Sequence, residues 1–445
     1  MHTVRSSASD GNHPSARIVR TAVRRSQERR VTRKKPSVIS LFTGAGGLDL
    51  GFHVAGLSTA VAVEMDKRCC ETLNANKGAG YEWQVVHRPV EDVSTREILA
   101  AAKLKVGEAD ALIGGPPCQP FSKSGYWSRG DSGRLRDPRA NTLAEFIRVL
   151  REARPKTFLL ENVSGLAYTG KEEGFRFLLD EIDRINVATG TRYKVSAKVV
   201  NAASYGVPQT RERIILVGSR DGRAFRFPEP AFYDREAAQD CLLSDAEPYR
   251  TAWDALASLG APEDLEETTM RGRWADLLPS IPEGANYLFH TDRGGGLPLF
   301  GWRRRYWSFL LKLSKQRPAW TLTAQPGPSI GPFHWGNRRL ARKELLRLQT
   351  FPEGYTVLGS LADVQKQVGN AVPSALAEVL ALEIRRQLLD ERVKAQQPSL
   401  VPPKQLRTPS PEQTKPVPKK YLKLAGQHEA HPGTGLGYGA QKRAA

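Results

Sequence analysis

The chain has 445 residues and a formal net charge of +19, but the excess sits at its ends: residues 1–36 hold ten Lys and Arg against two acids, and residues 392–445 again hold ten against two. The 355 residues between them carry only +3, which excludes a uniformly basic, histone-like chain and leaves a body long enough to bury a large core. No apolar run is long enough to span a bilayer, the first 36 residues lack the apolar segment of a secretory signal, and four cysteines without a C-x-x-C pair make neither a disulfide framework nor a zinc site.

In chain order, Val38–Phe42 reads as a strand that breaks into Thr43-Gly44-Ala45-Gly46-Gly47, followed by an amphipathic helix, Leu48–Ala55. Ala60–Val63 is a second strand ending in Glu64-Met65-Asp66, before a helical Arg68–Asn76. Ala111–Ile113 is a third, closed by Gly114-Gly115-Pro116-Pro117. Helical Thr142–Glu152, strand Thr157–Leu160 with Glu161-Asn162 at its end, and helical Phe175–Ile185 continue the alternation, and Tyr193–Val200 and Arg213–Val217 add strands. Such alternation predicts an α/β fold with a doubly wound, largely parallel sheet.

Periodicity weakens over residues 219–316, which are rich in Pro, Gly, Arg and aromatics; a smaller irregular domain is expected over 219–337. Regular patterning returns in 338–391, with helical Glu344–Gln349 and Pro373–Leu389 around a turn, Gln367–Pro373. The arm 1–36 and the Pro-rich tail 392–445 read as disordered basic segments.

Four strand ends carry candidate chemistry. The glycine turn offers main-chain donors at a helix start, and Glu64, some 20 residues on, stands where an acid can hold a ribose diol; together they suggest an adenosine-containing cofactor. Gly114–Ser122 sets Cys118 among three prolines just past a strand, as a nucleophile rather than a core thiol would be set. Glu161 ends the next strand, and Gln209-Thr210-Arg211-Glu212-Arg213 puts Arg211 and Arg213 on one face by alternation.

Phe42–Gly47, Glu64, Pro117-Cys118-Gln119, Glu161-Asn162-Val163, Gln209–Arg213 and Gln367–Pro373, in this order, resemble the DNA (cytosine-5)-methyltransferase family of the bacterial restriction–modification kind, over roughly Ser37–Gln387. The resemblance implies a Rossmann-like methyltransferase sheet over 37–218 and 338–391, and a target-recognition domain between. It implies transfer of a methyl group from S-adenosylmethionine to carbon 5 of a cytosine flipped out of duplex DNA, with Cys118, Glu161, Arg211 and Arg213 catalytic. Phe42, Gly44, Gly46, Glu64, Met65, Asp92, Pro117, Asn370 and Ala371 would bind the cofactor. No metal is implied. Ser40 departs from the family, many of whose members carry an acid before Leu-Phe. Arg303, Arg304 and Arg305, within Trp302–Trp307, are the candidate DNA contacts. The expected partners are double-stranded DNA and a cognate restriction endonuclease, for a cytoplasmic, nucleoid-associated monomer. A transfer-RNA cytosine methyltransferase with the same core is the alternative; the long variable segment favours duplex DNA.

Overall fold

The computed structural model describes residues 1–2, 35–117, 141–167, 173–234, 246–263, 265–390, 393 and 398–431. The chain divides into Met1–Lys35 and Pro36–Ala445, and the buried core lies in the second unit. Among the described residues no helix is long and apolar enough to cross a membrane.

Seven strands form the central sheet: β1 (Ser37–Leu41), β2 (Ser58–Glu64), β3 (Gln84–His87), β4 (Ala111–Gly114), β5 (Thr157–Val163), β6 (Lys194–Asn201) and, after the short β7 (Gln209–Thr210), β8 (Glu212–Ser219). Their order is β3-β2-β1-β4-β5-β8-β6, and only β8 runs against its neighbours. Every residue of β1 is buried, because helices cover both faces of the sheet. Ile39 and Leu41 join Phe146, Phe158 and Ile182 on one face; Val38 joins Phe52, Leu376 and Leu380 on the other. The covering helices are α1 (Gly47–Val54), α2 (Lys67–Ala75), α3 (Thr95–Ala102), α4 (Asn141–Ala153) and α5 (Glu173–Thr189), with α6 (Arg342–Leu348), α7 (Leu361–Asn370) and α8 (Ser374–Leu388) returning from far along the chain. The expected doubly wound α/β sheet is thus present.

Local chemistry explains the helix starts. Asp66 accepts hydrogen bonds from the Arg68 and Cys69 amides at the head of α2, and Ser94 and Glu97 cap α3 reciprocally. The sequence reading passed over β3 and α3, which are short. It took Gln367–Asn370 for part of a turn, whereas they end α7 and only Ala371–Pro373 turn the chain.

The region 219–337 has little regular structure: β9 (Phe232–Tyr233) pairs with β10 (Glu247–Pro248), and β11 (Ala319–Trp320) pairs with β7. It has its own small core of Met270, Leu277, Tyr287, Phe300, Phe309 and Phe333, into which Tyr421 also packs. That last contact corrects the expectation of a wholly disordered tail. Residues 398–431 run across the body as a strap. The buried Glu378 carboxylate accepts from the Ser399 and Leu400 amides at 2.7 and 2.9 Å, and Asp254 from the Gln405 amide at 2.7 Å. Buried Lys315 lies between Glu283 at 2.7 Å and Glu412 at 2.9 Å, and Tyr421 stacks on Trp274 with centroids 5.6 Å apart. A polar, Pro-rich composition signals disorder only when nothing awaits the chain; here the body supplies buried acceptors and an open aromatic slot.

Ending the chain at Gln396 would empty that slot, so the strap should be required for stability. Tyr421→Ala should cost about 3 kcal/mol, as for other buried aromatics. Thermal denaturation reads this directly, and an unchanged midpoint would show that 398–431 does not hold the core.

Candidate active site

Strand order reverses between β1 and β4, whose connections leave toward opposite faces of the sheet. In an open parallel sheet this opens a crevice beyond the carboxyl ends of the two strands. The glycine turn follows β1 and the Pro-Pro loop follows β4, so both flank it.

On the β1 side, Phe42 takes φ 53° and rests on the core, half-buried, and the turn swings into α1 through Gly46 at φ 85°. The Glu64 carboxylate at the end of β2 grips the turn: one oxygen accepts from the Gly44 amide and the other from the Asp66 amide, each at 2.7 Å. Burial pushes its pKa up, against the pull of these main-chain donors. Gly44 has φ 57°, and a Cβ there would meet nothing within 4 Å, so the turn's main chain can be approached closely. Met65, beside Glu64, is 64% exposed. From the far end of the chain, Ala371 is buried with Ala45 and Tyr355, whose hydroxyl donates to the Ala45 carbonyl at 2.9 Å; Asn370 next to it is exposed. Asp92 is exposed on the 3₁₀ turn Val90–Asp92, three residues beyond β3 on the same edge of the sheet.

On the β4 side, Glu161 lies where β5 passes the end of β4, close enough that a Cβ on Gly115 would come within 2.9 Å of its Oε2. Arg213 Nε meets Glu161 Oε1 at 2.7 Å, and the Asn162 side-chain Nδ2 donates to the Pro116 carbonyl at 3.3 Å. Pro117 accepts from the Thr142 hydroxyl at 3.1 Å. Cys118 lies outside the described residues, as does Cys241. Burial pushes the Cys70 thiol up to about 12 and the Cys69 thiol higher still, so neither competes as a nucleophile at neutral pH.

Arg211 lies between β7 and β8, and both it and Arg213 act electrostatically on Glu161's surroundings. Arg211 turns inward, 2% exposed, and donates to the Gly369 carbonyl at 2.9 Å and the Leu322 carbonyl at 3.4 Å. Burial, and then Arg213, push its pKa well down; Glu161 opposes them. Arg303, Arg304 and Arg305 form a separate, exposed run on the irregular region. Arg303 and Arg305 lie over the rings of Trp302 and Phe309, at 5.7 and 5.6 Å, while Arg304 is held by Glu429 of the strap at 3.0 Å.

One buried acid near the site escaped the sequence reading. Ser40 stands where an acid was expected, but its hydroxyl donates at 3.0 Å to Asp49, fully buried in the first turn of α1. Thr59 donates to the other Asp49 oxygen at 2.8 Å. A carboxylate therefore does lie beneath the glycine turn, delivered by the helix instead of the strand. Only its place inside the apolar Leu48-Asp49-Leu50 run could have signalled it. Burial pushes Asp49 from 3.8 up to about 6, against the hydrogen bonds from Thr59 and Ser40. The folded chain thus keeps a proton that the unfolded chain releases. The associated stability is full below about pH 4 and is lost as pH rises through about 6. Asp49→Asn cannot titrate and should flatten this dependence, worth about 3 kcal/mol. Denaturant titrations across this range check it; an identical slope in the variant would remove Asp49 as its source.

Residues 37–386 match the family described as C-5 cytosine-specific DNA methylase. The chain is 39% identical over 380 residues to the Type II methyltransferase M.SacI of Streptomyces achromogenes, covering 80% of this chain and 94% of that one. It is 31% identical over 345 residues to the Type II methyltransferase M.NgoFVII of Neisseria gonorrhoeae, covering 76% and 83%. A solved structure described as a DNA modification methyltransferase of an E. coli prophage aligns with a TM-score of 0.56 at 22% identity, over 80% of this chain and 100% of that one, and so shares the fold. With its strand order, glycine turn and Pro-Pro loop in place, the chain belongs to the C-5 cytosine-specific DNA methylases and is a DNA cytosine-5 methyltransferase of the Type II restriction–modification kind.

Proposed function

We propose that this methyltransferase works on a cytosine extruded from duplex DNA, through a covalent adduct with Cys118. The observation that carries this reading is the Glu161–Arg213 pair, 2.7 Å apart, beside the loop that leads from Pro117 into Cys118. Carbon 5 of cytosine is a poor nucleophile while the ring is conjugated. Attack by the Cys118 thiolate forms a sulfur–carbon 6 bond and moves the ring's π electrons toward carbon 5 and nitrogen 3. Glu161 hydrogen-bonds nitrogen 3 and the amino group, where the charge gathers, and Arg213 holds Glu161 in place. Arg211 ties the strand that bears Arg213 to the return segment. Loss of the carbon 5 proton then returns an electron pair to the ring and expels the thiolate. A base inside a duplex cannot be reached in this way, hence the extrusion.

The residues of the β1 side fit S-adenosylmethionine. The approach to Gly44 is open, and both Glu64 oxygens keep acceptor capacity beyond their main-chain donors. Glu64 would hold the ribose hydroxyls, Phe42 and Met65 would flank the adenine, and Asp92 would receive its amino group. Gly44, Gly46, Pro117, Asn370 and Ala371 would line the remainder. When bound, S-adenosylmethionine supplies the methyl group that carbon 5 takes up. Arg303, Arg304 and Arg305 would meet the DNA, with 219–337 as the recognition domain, the arm 1–36 following phosphates, and the chain acting as a monomer beside a cognate endonuclease.

Bisulfite sequencing of plasmid from cells making the protein should reveal 5-methylcytosine within one recognition sequence. Cys118→Ser and Glu161→Gln should each lower methylation by at least about 10²-fold while sparing cofactor binding. Near wild-type turnover by Cys118→Ser would overturn the covalent route. Separately, Glu64→Ala should weaken S-adenosylmethionine binding in calorimetric titration by about 1–3 kcal/mol without altering the sequence methylated. Unchanged affinity would remove Glu64 from the cofactor site.

A further inference from the structure

We propose that Trp307 and Trp320 form an aromatic face that stacks on the DNA bases beside the target cytosine. This rests on the reading of the chain as a methyltransferase that extrudes its cytosine from a duplex, and it names the surface that offsets the extrusion.

The two rings are 53% and 41% exposed, while Phe309 and Leu310, next along the chain from Trp307, are buried. Trp307 and Trp320 meet edge to face, with centroids 5.6 Å apart and planes at 74°, although 12 residues separate them in sequence. The main chain behind them is fixed. The Tyr287 hydroxyl donates to the Arg305 carbonyl at 2.9 Å and accepts from the Arg305 amide at 3.1 Å, and the Asn286 side chain donates to the Trp307 carbonyl at 2.8 Å. Trp320 belongs to β11 and stands opposite Thr210 of β7, the residue before Arg211; two positions on, the Leu322 carbonyl accepts from the Arg211 guanidinium. The face is therefore rigid, exposed, and continuous with the strand that leads into the Arg211–Glu161–Arg213 group.

Large apolar rings held in water on a fixed support mark a contact surface. Duplex DNA is the occupant that fits. The run Arg303-Arg304-Arg305 closely precedes Trp307 and supplies phosphate partners, and every base offers a π face. Removing a cytosine from the stack leaves its neighbours without a partner, and a preformed aromatic face replaces part of that stacking with no ordering cost of its own.

The test uses the full chain and its Trp307→Ala and Trp320→Ala variants on two duplexes. In one the target cytosine is paired with guanine; in the other it lies opposite an abasic site, so that it is already unpaired. Each variant should lower kcat/KM on the paired duplex by about tenfold and recover most of that on the abasic duplex, with an unchanged thermal midpoint. Wild-type tryptophan emission should also be quenched by the duplex, less so in each variant. Equal losses on both duplexes would make the rings structural, and no loss would remove them from the DNA surface. A change of oligomeric state in the variants would make the face a protein contact; these three results overturn the inference alone. A wild-type chain that methylates neither duplex would instead overturn the functional reading, and the inference with it.

Discussion

The parallel pairing of β1 with β4 is the contact on which the rest of the molecule depends. Val38 to Leu41 lie in register with Ala111 to Gly114, although the chain travels through two other strands and three helices between them. Because connections on the two sides of this pair run to opposite faces, the strand ends cannot be roofed by either, and a crevice remains. Each wall is then furnished by a carboxylate at a strand's end. Glu64 is fixed by main-chain donors and so shapes a turn; Glu161 is fixed by a guanidinium and so is oriented toward the β4 side of the crevice. The same residue type does two different jobs because one is held by amides and the other by a cation.

Arg211 shows how the crevice is kept in register with the segments that return to it. Its guanidinium reaches carbonyls at 322 and 369, and its Nε has no partner among the described residues. Burying such a group is expensive, and with Glu161 already engaged by Arg213 the site carries two cations against one carboxylate. The arrangement persists because three stretches of chain converge on one side chain. Any slip of the return segment would strand a buried cation, so position is enforced more strictly than apolar packing alone would enforce it.

What the sequence disclosed follows from where information is local. Val38–Phe42, its glycine turn and Glu64 were legible because alternation, turn chemistry and a short separation all fall within one βαβ unit. Glu161 was legible as an acid at the end of a buried strand. Asp49 was not, since a single acid in an apolar helix looks like a solvent-facing residue until Ser40 and Thr59 are brought to it by β1 and β2. The strap was misread for a related reason: Glu378 with Ser399, and Trp274 with Tyr421, are matched only in three dimensions, and neither partner alone carries a pattern.

The strap also bears on how the chain folds. The small core of the irregular region takes its members from 270–333 and then from 421. The residues between include α6, α7 and α8, which belong to the other layer of the molecule. That core cannot close until the sheet has recovered its last helices and the chain has doubled back over them. Its completion is a late, long-range event of the kind that slows folding, because loop-closure entropy must be met before the contact rewards it. A nascent chain therefore cannot complete the small core of 270–333 until Tyr421, nearly 90 residues further on, has been added.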